Sequence, residues 1–231
     1  MKETDFGKFE EKIGVNFINK DLLKQALTHR SYLNENRNIK NGHNERLEFL
    51  GDAVLELVIT HYLYDKYPDK NEGDLTSIRS ALVNAQTCSQ VASELEVNGF
   101  LLLSRGEAKD TGRARQYILA NVLEAIIGAI YLDQGYDATK DFIMRYVAPL
   151  TDKIVEEELW VDAKSRFQEK AQDKVGITPS YKTTREEGPD HDKKFTVGVY
   201  LGNTLVSEGE GESKQDAEQA AARHALKEKG W

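Results

Sequence analysis

The chain of 231 residues contains one cysteine, Cys88. A single thiol excludes an intrachain disulfide and leaves no cysteine set for a zinc site, so a reducing compartment, the cytoplasm, is the expected setting. The opening MKETDFGKFEEKIG has no apolar stretch of signal-peptide length, and no later run approaches the roughly 20 apolar residues of a membrane span. A soluble chain that meets no membrane is expected. An excess of positive charge is also missing: the formal net charge is −8, and residues 160–231 carry 12 Lys and Arg against 13 Asp and Glu. Affinity for a polyanion comes largely from Lys and Arg neutralising phosphates, so this balance argues against a nucleic-acid partner. Such a partner could bind only through the local arrangement of charge.

A chain of this length can bury one large core or two modest ones. From Phe6 to about Val155, apolar residues recur at three- and four-residue spacing, which predicts an all-α segment. Asn19 is placed as the N-cap of a helix carrying Leu22, Leu23, Ala26 and Leu27, and Pro68 closes a long helix that begins near Asn44. One helical segment is read from Asp74 to about Glu96. Gly112 and its charged surroundings read as a loop before an apolar helix from Tyr117 to Leu132. The charged stretch Lys153 to Lys164 reads as a helix end plus a short linker, dividing the chain into residues 1–155, a linker 156–161, and residues 162–231. In the last part a helix Ala163–Val175 precedes strands Ser180–Glu187, Lys194–Leu201 and Thr204–Gly211, with Gly202-Asn203 as a tight turn. Ser213 caps a final helix whose Ala217, Ala220, Ala221, Ala225 and Leu226 form a small-residue face. The expected fold class is an all-α domain followed by an α+β domain of order α-β-β-β-α.

Two acidic features stand out in the first domain. In HNERLEFLGDAVLEL, Glu45, Glu48 and Asp52 recur at i, i+3 and i+7, which puts three carboxylates on one stripe of a helix. From spacing alone this stripe reads first as an ordinary solvated face. In YILANVLEAIIGAIYLD, Asn121 and Glu124 lie at i and i+3 inside an otherwise apolar helix, where a carboxylate is costly without a helix N-terminus, an Arg or a divalent cation to compensate it. Two such helices side by side would line a site with the oxygen ligands that hard Mg²⁺ prefers.

At these segments the chain closely resembles the ribonuclease III family. NERLEFLGD followed by a small residue is nearly diagnostic, supported by QALTHRSY at Gln25–Tyr32, NEGDLTSIRSALV at Asn71–Val83 and ILANVLEAIIGAIYLD. The resemblance covers essentially the whole chain, its second part resembling a double-stranded RNA-binding domain. It implies an endonuclease of double-stranded RNA that leaves 5′-phosphate and 3′-hydroxyl ends, acting on ribosomal RNA precursors and other structured RNAs. Glu48, Asp52, Asn121 and Glu124 would hold Mg²⁺, with Mn²⁺ able to substitute, and Asp52 and Glu124 are the designated catalytic pair. Glu45 and Glu72 would be outer acidic members, and Phe49 would plug the partner of a homodimer. No small-molecule cofactor is implied. The family more often has Asp where this chain has Asn121, which leaves open a catalytically weakened scaffold that binds double-stranded RNA.

For the second domain the resemblance implies that Gln168 and Gln172, at i and i+4, read one minor groove, since an amide both donates to and accepts from 2′-hydroxyls. His191 would be the tip of a loop probe, and Ser213 and Lys214 would meet phosphates at the start of the last helix. The family favours two or three consecutive basic residues there, whereas ESKQDAEQ offers only Lys214. The element order alone also suits a small α+β interaction domain, His191 an ordinary loop histidine and Lys214 a solvated lysine.

Overall fold

A computed structural model describes residues 5–36, 41–109, 111–189 and 193–231. The chain divides into two compact units, Met1–Trp160 and Val161–Trp231. Among its described residues the first unit is helical: α1 (Phe6–Ile13), α2 (Lys20–Ala26), α3 (Arg30–Glu35), α4 (Glu45–Lys66), α5 (Glu72–Val83), α6 (Ala85–Glu94), α7 (Arg113–Tyr146) and α8 (Leu150–Glu156). Local chemistry sets most boundaries. The Asn19 side chain accepts from Asp21 N to open α2, and α4 stops at Tyr67, where Pro68 disfavours continued helix in the residue before it.

The single segment expected from Asp74 to Glu96 is instead two helices. Asn84 adopts an extended conformation (ψ 164°), and its side chain accepts from Thr87 N at 2.9 Å to start α6. A residue that bonds its own downstream backbone so readily offers the chain a cap in place of a helical turn. The apolar helix expected from Tyr117 to Leu132 starts earlier, at Arg113, and runs on to Tyr146 past a kink at Gly135 (φ 82°, ψ −170°). By length and composition α7 would suffice to cross a membrane, a run the sequence reading did not find. More than half of its apolar stretch is buried inside this unit, as suits a central core helix.

The core of the first unit lies where α4 and α7 pack together, with Leu47, Val54, Leu55, Val58, Leu119, Leu123, Ile126 and Ile127 all buried. Their approach is backbone to backbone. A Cβ added to Gly51 would lie 1.7 Å from the Glu124 carbonyl oxygen, and one added to Gly128 would lie 2.2 Å from that of Leu47. The two glycines are thus what lets the helices meet at this crossing.

The second unit is α9 (Ala163–Val175), an antiparallel sheet β1 (Ser180–Glu187), β2 (Lys194–Leu201) and β3 (Thr204–Gly211) in that order, and α10 (Lys214–Lys229). Asp162 and Ser213 cap the two helices as side-chain acceptors. Ala217, Ala221, Ala222 and Ala225 are fully buried, whereas Ala220 is only partly so. A Cβ on Gly209 of β3 would come within 2.1 Å of Ala221 N, so helix and strand touch through their smallest residues. Phe167 completes this core, stacked on Trp231 at 5.5 Å between ring centroids.

Gly51→Ala is expected to lower the unfolding free energy of the first unit by about 3 kcal/mol or more, at or beyond the upper end of ordinary overpacking. Gly99→Ala, whose Cβ meets open space, should stay within about 0.5 kcal/mol. Urea unfolding of both variants measures the difference, and equal effects would show that the glycine contact does not control packing.

Candidate active site and RNA-facing surface

The glycine-mediated approach decides which side chains share a cleft. Glu48 and Asp52 project from the N-terminal half of α4, one turn apart on either side of Gly51, and Asn121 and Glu124 project from the facing stretch of α7. The Asn121 amide hydrogen-bonds the Glu48 carboxylate, a contact made between the two helices. Burial first, and then the charges of Asp52 and Glu48, push the Glu124 carboxyl up to about 8. Glu48 is also raised, by burial, Glu45 and Asp52, with the Asn121 hydrogen bond opposing the shift. Of the candidate acids, therefore, Glu48, Asp52 and Glu124 share one electrostatic environment, with Glu45 bordering it.

Among the described residues no three His, Cys, Asp or Glu side chains are already gathered as a metal-ligand set. The cluster is an acidic cleft, not a finished cage. Its donors are all oxygens, three carboxylates and an amide, and the half-buried Glu124 lacks the solvation that would make its charge cheap. That donor set fits a hard divalent cation.

The outer acids sit differently. Glu45 opens α4, within 3.5 Å of the Arg30 guanidinium and 3.8 Å of His43 Nδ1. Glu72 opens α5, exposed, accepting from the Thr76 hydroxyl at 3.1 Å. The short connection from Tyr67 to Asn71 keeps Glu72 by the C-terminal end of α4, roughly 20 Å along the helix axis from Asp52. Within one chain the fold does not bring Glu72 to the cluster. Phe49 is 80% exposed on α4, and Leu57 (57%) and Tyr64 (71%) continue an apolar stripe along the same helix.

Two neighbours of the site were not singled out from sequence. Cys88 is buried close enough to Glu124 and Asp52 to feel both charges. Burial chiefly, then those two acids, push its thiol up to about 12, which keeps it protonated and unreactive. A cleft of about 720 Å³ lined by His29, Arg30, Glu107 and Tyr117 opens beside Glu45. Its signal was present in QALTHRSY, whose His29-Arg30 pair has a polarity that a helix core does not need.

In the second unit Gln168 and Gln172 are both exposed on α9, and the Gln172 side-chain oxygen accepts from the Thr178 hydroxyl at 3.3 Å. Ser213 caps α10 by accepting from Asp216 N, and its hydroxyl donates to the Asp216 carboxylate at 2.6 Å. Lys214 lies over the Phe195 ring, 5.5 Å from its centroid, with its ammonium 2.9 Å from the Glu186 carboxylate. His191 falls outside the described residues.

The raised Glu124 carboxyl makes the metal-free fold sensitive to pH. In the unfolded chain Glu124 loses its proton near 4.5, whereas in the fold it keeps it to about 8, so the folded state holds the extra proton between those values. Stability of the first unit is therefore expected to fall as pH rises from about 4.5 to about 8, and Glu124→Gln should flatten that fall. Thermal melts in EDTA at pH 5 and pH 8 check this. A variant that still loses the same number of degrees would sever the pH dependence from this residue.

Each of the two units matches a known family. A family profile described as Ribonuclease-III-like matches residues 19–150, and one described as Double-stranded RNA binding motif matches residues 163–229. A curated relative named Ribonuclease 3 from Borreliella burgdorferi is 44% identical over 226 residues, covering 98% of this chain and 92% of its own. Another of that name, from Bacillus licheniformis, is 47% identical over 97% of this chain and 90% of its own. A solved structure of the nuclease domain of ribonuclease III from Campylobacter jejuni, described for flexibility in a region involved in dimer formation, aligns with a TM-score of 0.56 at 39% identity, covering 63% of this chain and 97% of that one. With a helical nuclease unit whose facing helices carry the acidic cluster, and a second unit built as a double-stranded RNA-binding motif, the chain belongs to the ribonuclease III family of double-stranded RNA endonucleases.

Proposed function

We propose that the chain hydrolyses double-stranded RNA in a Mg²⁺-dependent reaction at the cleft between α4 and α7, leaving 5′-phosphate and 3′-hydroxyl ends. The observation that carries this reading is the burial of the Glu124 carboxyl beside the acids Asp52 and Glu48, which pushes it up to about 8 and which a divalent cation would relieve. Glu48, Asp52, Glu124 and the Asn121 amide oxygen would hold Mg²⁺, and Mn²⁺ would substitute. Bound there, the ion supplies an activated water and relief of charge building on the scissile phosphate. Glu124 in its deprotonated form, together with Asp52, would supply the negative charge that retains the ion. Asn121 orients Glu48 and, by hydrogen-bonding its carboxylate, favours the charged form.

On this reading Glu45 and Glu72 flank the path of the RNA, and Gln168, Gln172, His191, Ser213 and Lys214 grip its duplex form. The exposed stripe of Phe49, Leu57 and Tyr64 supports a homodimer, since large apolar side chains aligned along one helix mark a contact surface. A dimer would also supply a second Glu72, which the single chain holds away from its own cluster. Action on ribosomal RNA precursors and other structured RNAs in the cytoplasm, with no membrane and no small-molecule cofactor involved, follows from the same reading.

Glu124→Gln is expected to reduce cleavage on the order of 100-fold or more, equivalent to about 3 kcal/mol in the barrier, with duplex affinity nearly unchanged. Cleavage and binding of one long duplex at low millimolar Mg²⁺ separate the two, and near-normal cutting by the variant would sink the assignment. Asn121→Asp is expected to lower the Mg²⁺ concentration for half-maximal activity severalfold while destabilising the metal-free protein, because a fourth carboxylate replaces the donor that now supports Glu48. A metal titration with an unchanged or raised midpoint would show that position 121 is not a ligand.

A further inference from the structure

Lys214 is the one basic side chain at the start of α10, and it is already bound to an anion of this chain. Its ammonium lies 2.9 Å from Glu186 Oε1, and Lys193, just before β2, places its own ammonium 3.9 Å from Glu186 Oε2. Glu186 thus joins two lysines from separate segments of the chain, one beside the β1–β2 connection and one on the first turn of α10. The aromatic face of Phe195 seats Lys214 in this position. The Lys214 hydrogen bond, and the charge of both lysines, hold the Glu186 carboxyl below the usual range, so it is a full anion at neutral pH. Both partners are well exposed, with side-chain accessibilities of 57% for Lys214 and 40% for Glu186, and an exposed ion pair adds little to a fold.

We propose that Glu186 is an internal competitor for RNA phosphate, a carboxylate that occupies Lys214 and Lys193 until a duplex displaces it and that thereby sets the strength of the RNA grip. The inference rests on the reading of the α10 start as a phosphate contact. The geometry is that of a stand-in: two carboxylate oxygens address two ammonium groups, as two non-bridging oxygens of a phosphate would. The energetic consequence is direct. A lysine whose counter-charge belongs to the protein releases a carboxylate, not a solution cation's share of the RNA atmosphere alone, when it meets a phosphate. Binding is therefore weaker and less salt-dependent than the number of lysines suggests. In a unit with no excess of Lys and Arg, this restrains attachment to single phosphates and leaves discrimination to duplexes that engage α9 and α10 together.

The test uses the full chain in EDTA, so that RNA binds without being cut, and a duplex of about 16 base pairs or longer. Glu186→Gln, which keeps the side chain's shape, is expected to bind about two- to fivefold tighter at low salt, the scale of one exposed ion pair. The slope of log affinity against log salt should steepen by up to about one unit, as for one further phosphate contact. The gain should shrink when Lys214→Gln is added and vanish when Lys193→Gln joins it, since the competitor acts through those two lysines. Glu228→Gln, the same charge change at the far end of α10, should leave affinity nearly unchanged. Unaltered or weaker binding by Glu186→Gln, an equal gain in Glu228→Gln, or an undiminished gain in the Lys214→Gln background overturns the proposal. If Lys214→Gln alone leaves duplex binding intact, the reading of α10 as a phosphate contact falls as well. If Lys214→Gln weakens binding while Glu186→Gln changes nothing, that reading stands and only the competitor is lost.

Discussion

The site depends on the contact of two helix backbones. At Gly51 and Gly128 there is no room for a single carbon atom between α4 and α7. This closeness puts Glu48 and the exposed Asp52 beside Asn121 and Glu124, and leaves the Glu48 and Glu124 carboxyls only partly solvated. Larger residues at either glycine would push the helices apart, the acids would regain solvent, and their shifts would relax. The large apolar side chains along both helices supply the force that holds the pair together, and the glycines determine how near it may come.

From this follows the character of the cleft. A carboxyl at about 8 and two acidic neighbours make an arrangement that is unfavourable when fully charged. Catalytic clefts commonly store such unfavourable charge for a ligand that relieves it. Asn121 moderates it: an amide in place of a further carboxylate, and a hydrogen bond donated to Glu48, lower the cost of the crowded charge. The Cys88 thiol, held protonated chiefly by its burial and then by the same acids, adds no charge to the site.

The second unit uses the same packing device for a different end. Gly209 against the alanines of α10 brings helix and sheet into direct contact, which fixes where the first turn of α10 stands relative to β1. That placement puts Lys214 beside Glu186 and over Phe195. Both units therefore use the smallest residues to position charged ones, in one case like charges and in the other opposite charges.

Signals that are local in the chain were legible in the sequence. The three strands and the helix Ala163–Val175 lie where alternation, turn residues and caps put them, because each depends on neighbours a few positions away. The i, i+3, i+7 stripe and the polar pair inside an apolar helix were readable for the same reason, as was the family through its motifs. Where local signals compete, sequence alone does not decide: Asn84 could continue a helix or cap the next one, and only the packed chain chose the cap. What periodicity cannot express is which face meets which, since it names the side of a helix and not its partner. That Gly51 faces Glu124, that Glu72 stands apart from the other acids, and that Lys214 is taken by Glu186 were decided by tertiary structure alone. Each depends on atoms far apart in sequence and brought within ångströms by packing.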